Sequence, residues 1–421
     1  MNKKLLVKML VVWTIAGSTA YAGNARYILW NGGSKNHKEI AAEARRQGSS
    51  QATELEDFGG VSADLSPAML QHLKKRYPHL RYEIDGEVRL IDPKVKASAK
   101  TRVNGTTVIQ PAQSIPWGID AVQALSSAKF NFNAADVRIC IIDTGIQLKP
   151  TTHRDLPLAL AGKSFISSAR TYDDDNGHGT HVAGTIAGLN NSIGVMGVAP
   201  NVKLLIAKAL NSQGSGTYSG IASAMSWCTS SGANVISMSL GGGYSSAMES
   251  SMASAYQKGV VIVSAAGNDS AQNPSFPASS VYSLAISAVD SNFNLASFSN
   301  HEPLNATSLS GRLYALPGVG VTSTLPDDVY ATWSGTSMAT PHAAGIIALR
   351  LQQLGFIGSA RLTSGAQVAE FRSNLSEAAV CLTSKTTGKQ LDASLQGYGM
   401  LNAQAAVGAK VGSPCVDTRL P

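Results

Sequence analysis

A chain of 421 residues exceeds the usual size of one compact domain, so two folding units, or one unit and a processed segment, are expected. The net charge of +7 belongs to the first part alone: residues 1–111 hold 17 Lys+Arg against 10 Asp+Glu, and residues 112–421 hold 17 against 17. Composition is otherwise that of a globular enzyme, and for the neutral remainder the electrostatic argument for a nucleic-acid partner disappears.

Residues 1–22 show Lys3, Lys4 and Lys8, an apolar run 9–15, and small residues ending Ala20-Tyr21-Ala22, the three zones of a secretory signal. The apolar run is shorter than the roughly 20 residues that cross a bilayer. A secreted, extracellular product free of the membrane is expected.

Downstream, 26–30 reads as a strand, 38–46 as a helix and 59–65 as a strand. Ser66 with Pro67 starts a second helix to about residue 76. Residues 82–91 alternate as one final strand. These elements make a small α+β unit. Residues 94–111 are polar and aperiodic, a linker that a protease could cut.

From Trp117 onward the pattern changes to runs apolar on both faces, 137–142, 204–209, 234–240, 260–265 and 284–288, alternating with helices at 181–188, 218–230 and 245–258. That alternation predicts an α/β fold, a doubly wound and mostly parallel sheet with helices on both faces. Four cysteines permit three full pairings. Cys381 with Cys415 would staple a C-terminal extension. Cys140 with Cys228 competes with a reading as buried reduced thiols.

Function in such a fold collects at the C-terminal ends of strands. Asp143 ends one apolar run and can orient a base. His178, in Asn176-Gly177-His178-Gly179-Thr180-His181, precedes a small-residue helix and can face a cleft, whereas His181 packs in its first turn. Ser337, in Ser334-Gly335-Thr336-Ser337-Met338-Ala339, lies between a glycine turn and a helix, where the dipole favours a nucleophilic oxygen and the backbone N–H can meet an oxyanion. Asn268 follows the run 260–265 and can add a second oxyanion donor. The run Asp173-Asp174-Asp175 reads as a solvated turn, and Asp269 as a solvated loop charge.

In order and in surrounding residues these segments resemble the subtilisin family of serine proteases over about 112–355 and again at 397–407. The resemblance implies a triad of Asp143, His178 and Ser337, with Asn268 and the Ser337 amide as oxyanion donors. It implies that Gly214, Ser215 and Gly216, with Ser239, Leu240 and Gly241, hold a peptide as an added strand. Ala265, Ala266, Gly267 and Ser275 would line a roomy main pocket favouring large apolar residues, with Tyr218 bordering a second one. A structural Ca²⁺ is implied at Gln113, Asp155, Leu189, Asn191, Ile193 and Val195. Residues 23–111 correspond to an inhibitory propeptide and its linker, removed by self-cleavage, and 112–421 to the catalytic domain with a C-terminal extension. The implied activity is broad hydrolysis of protein and peptide substrates by a monomeric serine endopeptidase. Relative to short family members, 300–316 and 355–396 are lengthened.

Overall fold

In the computed structural model the described residues are 24–31, 36–93, 95–99, 110–127, 133–149, 151–304, 310–409 and 415. The signal-like stretch 1–22 and most of the linker lie outside them.

The first unit forms as its apolar pattern directs. Strand β1 (Ala25–Trp30), helix α1 (His37–Arg46), β2 (Ala52–Leu55), β3 (Gly60–Leu65), helix α2 (Pro67–Arg76) and β4 (Arg81–Ile84) give an antiparallel sheet in the order β2-β3-β1-β4. Leu29, Val61, Ala63 and Leu65 pack from the sheet against Ile40, Ala44 and Leu73 of the helices. Ser66 caps α2 by accepting from the Met69 amide.

The single strand expected over 82–91 is two strands. At Asp85 the chain leaves the first sheet, and Glu87–Leu90 forms β5 in another. The break has an electrostatic cause. Asp85 is buried and accepts from the Ser219 amide at 2.9 Å, the Ser219 hydroxyl at 2.5 Å and Ser62 Oγ at 3.0 Å, while Arg26 pairs with it at 3.1 Å. Two residues earlier, Glu83 accepts from Ser245 Oγ, Ser246 Oγ and the amides of Ser246 and Ala247, at 2.5 to 3.2 Å. Each carboxylate therefore sits on the amide end of a helix in the second unit, where orphan N–H groups and the dipole both favour negative charge. Strand β6 (Val95–Ala99) completes the N-terminal part.

The second unit follows in chain order as α3 (Trp117–Ala121), α4 (Ala124–Ser127), β7 (Arg138–Asp143), β8 (Ala161–Ser164), α5 (His178–Ala187), β9 (Lys203–Lys208), β10 (Ser215–Thr217), α6 (Tyr218–Ser230), β11 (Val235–Met238), β12 (Leu240–Gly241), α7 (Ser246–Gln257), β13 (Val261–Ala265), β14 (Ser283–Val289), β15 (Leu313–Pro317), β16 (Val321–Leu325), β17 (Val329–Ser334) and α8 (Thr336–Gln353). Seven strands form one parallel sheet in the order β15-β14-β13-β11-β7-β9-β8. The doubly wound expectation therefore holds. The two edge strands β8 and β15 were not foreseen; β8 reads Ala-Gly-Lys-Ser and carries no apolar run.

Side chains of β7 divide between the two faces. Ile139 and Ile141 join the core under α5 and α8, and Cys140 and Ile142 the core under α6 and α7. Cys140 thereby faces α6 and is bonded to Cys228, and Cys381 is bonded to Cys415, so the reduced-thiol reading of the first pair does not hold. Among the described residues no helix is long and apolar enough to cross a membrane.

Two small sheets join the N-terminal part to this body. Strand β5 lies antiparallel between β10 and β12, and β6 lies antiparallel on β17.

Replacing Asp85 by Ala would leave the Ser219 amide and Ser62 hydroxyl without their acceptor. Denaturant unfolding of the full chain, compared in a Ser337→Ala background, should then show a loss of about 1–3 kcal/mol. An unchanged midpoint would mean that this cap contributes nothing to the joint between the units.

Candidate active site

The sequence-level candidates converge at one edge of the seven-stranded sheet, where strands end and helices begin. Asp143 is the last residue of β7 and is buried. His178 is the first residue of α5, one turn earlier than the expected helix start. These two elements touch because residue 179 is glycine: a Cβ there would lie 2.1 Å from the Gly145 carbonyl oxygen. With the start of α5 resting on the turn after β7, His178 Nδ1 reaches both Asp143 oxygens, at 2.9 and 3.0 Å. A carboxylate can only accept here, so Nδ1 carries the proton and Nε2 is left as acceptor. Nε2 is buried without a hydrogen-bond partner. The Thr144 amide donates to Asp143 Oδ1 at 2.7 Å and fixes the carboxylate in turn.

Of the run 173–175, expected as a solvated turn, Asp175 is exposed but Asp174 is not. Asp174 is buried and accepts five hydrogen bonds, from Thr144 Oγ1, the Asn176, Gly177 and Thr180 amides, and Thr180 Oγ1, at 2.6 to 3.1 Å. It caps α5 from the side and ties that helix to Thr144. Asp175 pairs at 2.5 Å with the buried Lys208, which also donates to the Thr144 carbonyl at 2.6 Å. Three adjacent carboxylates look alike in sequence. Only the fold shows that the middle one faces a helix N-terminus.

His181 packs, as expected. Its ring stacks on Trp333 with centroids 4.6 Å apart, and its Nε2 donates to the Ala331 carbonyl at 3.2 Å. Trp333 also lies 6.2 Å from the His178 ring, a neighbour that the sequence did not single out.

Ser337 is the second residue of α8 and fully buried. Four residues later comes Pro341, which has no N–H to offer the Ser337 carbonyl. That carbonyl accepts from Ser239 Oγ instead, at 3.1 Å. Asn268 turns its oxygen to the Thr336 amide and hydroxyl at 2.9 and 3.0 Å, which aims its NH₂ group into the cleft.

The cleft itself is filled by the chain's own β5. Arg89 lies opposite both Ser215 and Gly241, and Val88 opposite Gly216. The Leu90 amide donates to the Gly214 carbonyl at 2.8 Å and the Ile91 amide to the Ser239 carbonyl at 3.3 Å. Past this ladder, Ser337 Oγ donates to the Ile91 carbonyl at 2.8 Å, and Asn268 Nδ2 to the Asp92 carbonyl at 2.9 Å. Val88 packs with Tyr218 and Leu240. Ala265, Ala266 and Gly267 are buried beside Asn268, and Asp269 is exposed. Asn300 was missed at sequence level. Fully buried, it donates to the Ala266 carbonyl and Ser275 Oγ, both at 3.1 Å, and accepts from the Asp269 and Ala271 amides.

The residues expected around a cation also meet. Asp155 is fully buried and accepts from Asn191 Nδ2 at 2.9 Å, the Val195 amide at 2.7 Å and Tyr330 Oη at 3.2 Å. Gln113 Nε2 donates to the Leu189 carbonyl at 2.6 Å, and the Ile193 amide to Asn191 Oδ1 at 2.7 Å. Burial pushes the Asp155 carboxyl up to about 6. A buried carboxylate whose partners are all neutral, beside carbonyl and amide oxygens on one loop, is the donor set a hard cation takes.

The profile described as Subtilase family matches residues 134–399. Alkaline elastase YaB of Bacillus sp. (strain YaB) is 42% identical over 277 residues, 66% of this chain and 70% of that one. Subtilisin Savinase of Lederbergia lenta and Subtilisin DY of Bacillus licheniformis are each 41% identical, over 70% of this chain and 99% of theirs.

Burial holds His181 down to about 3 and His342 to about 4, both below the usual 6.5. Below pH about 6.5 the unfolded chain binds protons that the native one refuses, so stability present above that pH is lost as pH falls. The urea midpoint of the Ser337→Ala protein should drop between pH 7 and 4, and His342→Gln should flatten that slope. An unchanged slope would rule out a contribution from His342.

Proposed function

The chain belongs to the subtilase family and is a serine endopeptidase, and on that premise we propose that Ser337, His178 and Asp143 carry out its reaction. The carrying observation is the buried pair of His178 and Asp143 with an unpartnered Nε2; Ser337 Oγ makes no bond to that nitrogen here and instead donates to a peptide carbonyl of the strand in the cleft. Ser337 Oγ attacks the carbonyl carbon and its proton passes to His178 Nε2. Asp143 holds Nδ1–H and stabilises the imidazolium. Asn268 Nδ2 and the Ser337 amide receive the developing oxyanion, for which Asn268 Nδ2 has to leave the Asp92 carbonyl that it bonds here. A side-chain donor of this kind is worth about 3 kcal/mol, a value measured on a member of this same family. The imidazolium then protonates the leaving amine, and water, deprotonated by the same nitrogen, releases the acyl group.

Residues 23–111 act as a propeptide and linker that blocks the cleft until the chain cuts itself. Strand β5 supports this reading, because it occupies the groove between β10 and β12 in which a substrate strand would lie. The bond cut is Ile91–Asp92. Ser337 Oγ bonds the Ile91 carbonyl, and the Ile91 amide donates to the Ser239 carbonyl at the end of the strand ladder, which brings this residue to the serine. This bond lies just upstream of the 94–111 linker. Buried Ile91 and the small residues Ala265, Ala266, Gly267 and Ser275 support a preference for large apolar residues before the cut.

Residues 1–22 direct export, and the enzyme works outside the cell on proteins and peptides. A structural Ca²⁺ is held by Asp155, Gln113 and Asn191 side chains with the Leu189, Ile193 and Val195 carbonyls. When bound, it supplies the positive charge that the buried Asp155 otherwise lacks.

Intact-mass analysis should find wild type cut after Ile91, active on casein and labelled once by a serine-directed inhibitor. Ser337→Ala should stay full length, inactive and unlabelled. A Ser337→Ala protein that sheds its first part when free of other proteases would sink self-processing. EDTA should lower the melting temperature of wild type and leave that of Asp155→Asn unmoved; equal responses would sink the cation assignment.

A further inference from the structure

Strand β17 ends at Ser334, just before the nucleophile's helix. One of its edges pairs with β16. The other carries β6, with Ser334 opposite Val95, Trp333 opposite Lys96, Thr332 opposite Ala97, Ala331 opposite Ser98 and Tyr330 opposite Ala99. On the opposite side of Ser337 the same chain lies as β5 between β10 and β12. Between them it passes Ser337 at Ile91 and Asn268 at Asp92. The chain thus enters the site as an inserted strand over 87–90 and leaves it as an edge strand over 95–99.

We propose that the edge of β17 is a second peptide-binding site, downstream of the cut bond, that takes residues four to eight after the cut as an antiparallel strand. It rests on the endopeptidase reading above and on Ile91–Asp92 as the bond in place, which makes Val95 the fourth residue and Ala99 the eighth.

The physical case is the fate of that edge. The cut at Ile91–Asp92 leaves residues 95–99 joined to the enzyme. Once a second cut beyond residue 99, in the linker that runs to residue 111, releases them, β17 keeps β16 on one side and presents a row of backbone N–H and C=O groups on the other. Such an edge is a template for a further strand. A substrate held at Ser337 has its leaving side tethered a few residues from the start of the template, at an effective concentration no free peptide matches. The template is firm at both ends. Near the serine, Ser334 Oγ accepts from the Gly320 amide at 2.9 Å, and at the far end Tyr330 Oη bonds Asp155 and Gln110 at 3.2 and 2.8 Å. Recognition through backbone groups sets the ligand class. The site takes unfolded polypeptide that continues at least eight residues past the cut, without proline in that stretch, and is indifferent to most side chains there.

The test uses enzyme freed of residues 92–99 by a sequence-specific cleavage site inserted within 100–109, its new N-terminus checked by mass. Three internally quenched peptides are compared: residues 87–93, residues 87–100, and 87–100 with N-methyl groups on the five residues 95–99. The expected result is a kcat/KM about tenfold or more higher for the long peptide, returning to the short peptide's value on N-methylation. Equal kcat/KM for all three, cut at the same bond, overturns the edge site and leaves the endopeptidase standing. Failure to cut any peptide or casein, with Ser337 intact, overturns the endopeptidase reading itself.

Discussion

Everything at the site depends on keeping a carboxylate and an imidazole together out of water. A buried ionisable pair persists only when its remaining lone pairs and protons are met, because the desolvation of an unpaired charge exceeds what most single contacts return. Asp143 is met by His178 and by the Thr144 amide. Thr144 is held by Asp174 through its hydroxyl and by Lys208 through its carbonyl. Asp174 and Gly179 set the start of α5, and with it the imidazole. The surrounding network therefore reads as successive layers of support for one hydrogen bond.

The joint between the two units follows a different logic. Its strongest contacts are carboxylates on helix ends and backbone ladders on open strands, all of which water can replace. An apolar contact runs beneath them: Ile28, Leu55, Val88 and Leu90 enter the core of the larger unit, with Trp30 and Phe58 packed against it.

Much of this was legible in the sequence. Continuous apolar runs gave five of the seven sheet strands, since a strand covered on both faces must be apolar throughout. The catalytic candidates were legible because Asp143, His178, Asn268 and Ser337 each sit at a strand end or helix start, where chemistry collects in such folds. What escaped is what depends on tertiary partners. Asp174 shows no mark distinguishing it from Asp173 or Asp175 until α5 is seen to begin above it. Asn300 lies in a stretch read only as lengthened. The strand expected over 82–91 broke because Asp85 finds its donors on another unit, and alternation within a segment carries no trace of that.

Pro341 has a consequence beyond its missing hydrogen bond. By freeing the Ser337 carbonyl, it lets Ser239, next to strand β12, hold the peptide group of the proposed nucleophile. The cleft wall and the peptide group of Ser337 are thus joined by a direct hydrogen bond. A change to that wall that moves Ser239 therefore reaches Ser337 as well, and under the proposed mechanism fit and reactivity there are coupled.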